Sequence, residues 1–190
     1  VPTGFDARGG LELGAALASR GHRHVAFFAG GPPNHIDELR MRGLKEGLGP
    51  TGAVHFFCPD ENVWSRYTTR RERQDAKVAR PVSLVTDFLH TLHPLVCSSA
   101  QHDLRQSAVF LRADSLRAAV LEPYFKRALD IPQITAWVGW NDRLALMALQ
   151  FLANNDIPVP GHLSVAGFDD TIQALGSDLT SHNPNMRGIV

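Results

Sequence analysis

The sequence predicts an α/β fold, a parallel sheet with helices on both faces. Three observations carry this. Short apolar runs of strand length alternate with longer segments whose apolar residues recur at helical spacing. The strand-like runs are apolar throughout, as befits strands covered on both sides. The bulk composition is that of an ordinary globular chain: 190 residues, 44% hydrophobic and 20% charged. A chain of this length buries roughly 70% of its unfolded surface, enough for a full core.

The elements follow in order. Residues 9–20 place Leu11, Leu13, Ala16 and Leu17 at helical spacing, and Gly21 stops that helix. Val25–Ala29 (VAFFA) is the first strand, followed by the loop Gly30-Gly31-Pro32-Pro33. Asn34 caps a helix over about 35–48 with Asp37 in its first turn. That helix carries Ile36, Leu39, Gly43 and Leu44 on one side. Ala53–Cys58 is the second strand. A helix over 114–129 carries Leu116, Val120, Leu121, Phe125 and Leu129, with Pro123 expected to distort its middle. Ile134–Val138 is the third strand, and Asn141-Asp142 opens a helix with Leu144, Ala145, Ala148, Leu149 and Leu152 inward. Leu163–Gly167 is the fourth strand, followed by a short helix near 171–175 and a strand near 179–183. Residues 61–108 do not fit the alternation and read as an insertion with structure of its own, far longer than usual connections. Within it, residues 82–92 suit a helix, and residues 66–80 hold six cations against two anions, read as a solvated face.

Several function classes are excluded. Nineteen Lys plus Arg balance nineteen Asp plus Glu, so the chain is no dedicated nucleic-acid binder. No apolar run approaches the ~18 residues of a membrane span. Val1–Asp6 has neither a basic start nor an apolar stretch, so no signal peptide is expected. Cys58 and Cys97 read as buried thiols in a reducing compartment. The chain has no P-loop, no dinucleotide fingerprint and no nucleophile elbow. His90 and His93 are three apart but have no acidic or Cys partner at ligand spacing, so no metal and no cofactor are expected.

A binding site is placed by the fold class alone. Ligands of open parallel sheets bind outside the carboxyl ends of the strands. Those ends bring Gly30–Asn34, Asp37 and Arg40, then Pro59, Asp60 and Trp64, then Trp140, Asn141 and Asp142, then Phe168, Asp169 and Asp170 to one edge. Arg40 is a planar multiple donor, Asp169 an acceptor pair, and Asn141 offers both functions. Trp64, Trp140 and Phe168 supply flat apolar faces. Hydrogen-bonding forks beside aromatic rings suit a small polyhydroxylated ligand. Plainer roles are also open. Arg40 could pair only with Asp37 or a neighbouring carboxylate. Asn141 could only cap its helix, and Asp169 or Asp170 could only cap the last short one. Trp64 and Trp140 could belong to the core or to a dimer interface.

These pieces also carry a resemblance. GGLELGAALASRGHRHVAFFAGG from Gly9, DELRMRGLKEGL, ITAWVGWNDRLALMALQFLANNDIPVPGHLSVAGFDD and DLTSHNPNMRG resemble, in this order, segments of lactose/galactose-repressor-type (LacI/GalR) regulators. The resemblance covers nearly the whole chain outside the insertion. The run from Asn141-Asp142 to Gly167-Phe168-Asp169-Asp170 is its most specific part.

The resemblance implies a periplasmic-binding-protein-like effector domain of a bacterial transcription regulator, cytoplasmic and not an enzyme. Two α/β lobes would close over a small effector, commonly a sugar, and closure would be linked to DNA affinity. Position by position, Arg40, Asn141 and Asp169 match the family's ligand contacts, with Trp64 the nearest candidate for a stacking aromatic. The chain would be mostly the carboxy-terminal lobe, with residues 1–8 and 178–184 as crossovers. The amino-terminal lobe and the operator-binding helix-turn-helix would lie outside it. A homodimer is implied too. Departures from the pattern are Gly161-His162 before Leu163-Ser164, Asn183 before Pro184, the bulky Trp140, and the insertion. A transporter's periplasmic sugar-binding protein is the alternative on the same fold.

Overall fold

The computed structural model describes residues 3–63, 65 and 117–183. The chain divides into two compact units, Val1–Asp60 with Leu121–Val190, and Glu61–Val120. In the second unit the described residues, 61–63, 65 and 117–120, are helical. Trp64, most of the insertion with its basic stretch and its predicted helix, His90, His93 and Cys97 lie outside the described residues.

The first unit carries a five-stranded parallel sheet in the order β2-β1-β3-β4-β5. Its elements are α1 (Thr3–Ser19), β1 (His24–Phe28), α2 (His35–Leu48), β2 (Ala53–Phe57) and α3 (to residue 129). After them come β3 (Ile134–Gly139), α4 (Asp142–Asn154), β4 (Ser164–Phe168), α5 (Ile172–Gly176) and β5 (Thr180–His182). The α/β class and the parallel sheet are therefore as predicted. Three details differ. The first helix starts at Thr3, so most of the stretch read as a crossover is helical. The backbone is helical on both sides of Pro123, over 117–129. The last short helix is capped by the Thr171 hydroxyl, not by Asp169 or Asp170.

Each face of the sheet has its own core. On one side Leu13 and Leu17 of α1 and Leu44 and Leu48 of α2 cover Val25, Phe27, Val138 and Phe168. On the other, α3 and α4 cover Phe28, Phe57, Trp137 and Val165. A bulge at Thr135 shifts the β1–β3 register, pairing His24 with Ile134 but Val25 with Ala136. The extra residue lets Ile134 and Trp137 share a face despite their odd spacing.

Helices α1 and α2 meet backbone to backbone. A Cβ on Gly10 would lie 2.3 Å from the Arg40 carbonyl oxygen, and one on Gly43 would lie 2.0 Å from that of Ala7. Gly14 and Gly47 repeat the arrangement one turn further on. Only hydrogen side chains permit this approach, and it brings the first turns of α1 beside α2.

Candidate functional site

The carboxyl edge of the sheet gathers the residues that the sequence placed there. Capping fixes where each helix starts. Asn34 Oδ1 accepts from the Ile36 and Asp37 amides, while Asp37 Oδ2 accepts from the Asn34 amide, a closed capping box. Asn141 Oδ1 accepts from the Leu144 amide at 2.9 Å. That leaves the two Nδ2 donors of Asn141 for other partners. The capping role and a ligand role are thus compatible.

Arg40 is the hub of the edge, with a side chain only 11% exposed. Its Nε and Nη2 lie 3.0 and 2.9 Å from Asp6 Oδ1, and Nη1 donates to the Trp140 carbonyl. Nη2 also lies 3.7 Å from Asp169 Oδ1. The guanidinium sits 4.5 Å above the Phe168 ring and 6.0 Å from that of Trp140. Its carboxylate partners are Asp6 and Asp169, while Asp37 serves the helix cap. A guanidinium held on three sides is a fixed fork rather than a sweeping cation.

Asp169 is the more open partner, its side chain 43% exposed. Burial pushes its carboxyl above the ordinary value; Arg40 pulls it back, and Asp142 and Asp6 push it further up. Its backbone lies in the left-handed region at φ 102°, as does that of Asp170 at 49°. For residues other than glycine such conformations cost free energy and persist only when surrounding contacts hold them. Asp37 is buried, and burial raises its carboxyl too.

The aromatics divide. Trp140 is partly exposed, with its buried Nε1 unpartnered against Gly30, where a Cβ would come within 2.9 Å. Phe168 is 2% exposed and belongs to the core, so it forms the plate under Arg40 rather than an open face. Trp64, the stacking candidate, is not among the described residues. Arg40, Asp169, Trp140 and Phe168 do come together, and Asn141 follows Trp140 in the chain.

Three further residues contribute, and of these the sequence singles out only Asp142, just after β3. Asp6 reaches Arg40 only because α1 begins early and packs closely on α2. Asp142 is fully buried and ties the β4–α5 loop to β5 through Thr171 and Ser181. His182 stands edge-on to Phe168 at 5.9 Å, with Nδ1 3.6 Å from Glu12. Burial pushes its imidazole below the ordinary value, helped by Arg40 and Arg8 and opposed by Glu12 and Asp6. The Asn141-Asp142 pair was the only signal pointing to any of them. Among the described residues no group of three or more His, Cys, Asp or Glu is arranged to hold a metal. Cys58 is a free thiol whose pKa burial raises. The edge therefore offers fixed donors and acceptors for a polar ligand.

Several known proteins are similar to this chain. The model of the periplasmic binding protein-like domain family matches residues 15–190. An HTH-type transcriptional regulator of Mycolicibacterium smegmatis is 46% identical over 55 residues, 28% of this chain and 15% of that protein. A LacI-family transcriptional regulator from Burkholderia phymatum has the same fold, with a TM-score of 0.50 and 21% identity over 93% of this chain and 46% of its own. A second, from Silicibacter pomeroyi, gives 0.49 and 14% over 93% and 48%. The chain spans about half the length of these two solved structures. No helix among the described residues is long and apolar enough to cross a membrane. Matched over most of its length, the chain belongs to the periplasmic binding protein-like domain family.

Proposed function

We propose that this chain is the effector-sensing part of a LacI-type transcriptional regulator. It binds a small polyhydroxylated molecule, a sugar or sugar derivative, without chemistry. The observation that carries this is the Arg40 guanidinium of α2, held beside Asp169 after β4 and bonded to the Trp140 carbonyl next to Asn141 after β3. Asp169 accepts hydrogen bonds from hydroxyls, Asn141 Nδ2 and the remaining guanidinium N–H groups donate, and Trp140 stands beside them. A second lobe closes the ligand from the other side, and closure biases a homodimer toward or away from operator-binding geometry. DNA contact belongs to a helix-turn-helix segment outside these residues, and the protein works in the cytoplasm. The regulators among its relatives favour this reading over a transporter's binding protein on the same fold.

Calorimetric titration of the regulator carrying this chain against a panel of monosaccharides tests the reading. A sugar that binds should lose about 1.5–3 kcal/mol with Asp169→Ala, the worth of one charge-assisted contact. Unchanged affinity in that variant would remove Asp169 from the site.

A further inference from the structure

We propose that Asp142 is a positioning residue that holds Asp169 in its ligand-facing pose, an inference that rests on the carboxyl edge being the effector site. Asp142 opens α4, directly after the capping Asn141, and is fully buried. Its Oδ2 accepts from the Thr171 amide at 2.7 Å, and its Oδ1 accepts from the Ser181 hydroxyl at 2.5 Å. The Ser181 oxygen in turn accepts from the Asp170 amide at 2.9 Å. The His182 carbonyl accepts from the Asp169 amide at 3.1 Å. Three consecutive amides, 169 to 171, are thus held by β5 and by one buried carboxylate.

That restraint falls on Asp169 and Asp170, two of the four non-glycine residues with positive φ among the described residues. Released, they would relax toward ordinary φ values, and the Asp169 carboxylate would swing away from Arg40. The space for Asp142 is made by Gly167, where a Cβ would lie 2.4 Å from Asp142 Oδ1. Both neighbours of the carboxylate donate to it, one to each oxygen. An asparagine keeps one of them and can donate to the Ser181 oxygen instead, which makes it the conservative variant.

The test is amide hydrogen exchange followed by NMR, with Val138 in the buried sheet as reference, combined with monosaccharide titration. Asp142→Ala should speed exchange at Asp170 and Thr171 by about tenfold or more while Val138 changes little. It should weaken the sugar bound by the parent protein by a similar factor, and Asp142→Asn should restore most of both. Ser181→Ala removes both bonds of the Ser181 hydroxyl but keeps the one from the Thr171 amide to Asp142, so it should loosen Asp170 while leaving Thr171 protected; it carries the test if Asp142→Ala does not fold. The proposal is overturned if exchange at Asp170 and Thr171 is unchanged, or rises only in step with Val138. If the parent protein takes up no sugar, the effector reading fails, and the exchange arm still decides whether Asp142 positions the loop.

Discussion

The two faces of the sheet are built on opposite plans. The face under α3 and α4 is filled by rings. Trp137 lies 5.0 Å from Phe28 and 5.5 Å from Phe125, with Phe151 beyond at 6.2 Å. The face under α1 and α2 has few rings, and its two helices touch through glycines. Large side chains keep helices well apart, whereas glycines let backbones meet. The first plan gives area and rigidity. The second gives proximity, and it lets Asp6 on one helix reach Arg40 on the other. The comparison teaches that the site depends on the thin face for its geometry and on the thick one for its foundation.

The largest expected effect breaks the thick face. Trp137→Ala removes the central ring and should cost about 3–5 kcal/mol in a denaturant titration. Trp137→Phe should cost much less, because the indole Nε1 that it removes is buried without a partner. Near-equal losses would mean that this face does not rest on ring packing.

A smaller effect should come from the thin face. Gly43→Ala forces a methyl against the Ala7 carbonyl, and overpacking of this kind costs about 1–3 kcal/mol. It should also push α1 off α2 and loosen Asp6 from Arg40, whereas the Trp137 variants should leave that pair in place. NMR of the Arg40 Nε–H reads this. An Arg40 signal unmoved in Gly43→Ala would show that the glycine contact does not set the pair.

The smallest effect is a pH dependence shared by both faces. Burial lowers the imidazole pKa of His55 beside the ring-filled core and of His182 beside Gly9 of α1. The folded pKa values therefore lie below the ordinary 6.5. Above that value both states are neutral and the stability is intact. As pH falls through it toward the folded values, the unfolded chain takes up protons that the folded chain resists, so stability drops. The urea midpoint should fall between about pH 7.5 and 5.5, and His55→Gln and His182→Gln should each flatten the slope. A flat profile in the parent protein would contradict the burial of these rings.

Much of the fold was legible, and each success has a local cause. VAFFA and ITAWV read as strands because strands buried on both faces need apolar residues throughout. Asn34 and Asn141 read as caps because orphan amides at helix starts need acceptors nearby. Arg40, Asn141 and Asp169 were placed at one edge because a parallel sheet sends every strand end there. The failures have a cause too. Thr171 caps α5 because Asp169 and Asp170 are drawn into left-handed backbone by bonds to β5 and Asp142, a constraint from elements far away in sequence. Phe168 read as an open ring, and only packing puts Arg40 over it.

The class of fold, the run of elements and the edge that carries the candidate site are legible in the chain's own residues. Periodicity, capping and strand order are written in neighbouring residues. Only the tertiary structure decided which carboxylate holds Arg40, which glycines let it happen, and that a buried Asp142 ties down the Asp169 loop. Those depend on close approaches between segments distant in sequence, where a few tenths of an ångström decide whether a contact exists.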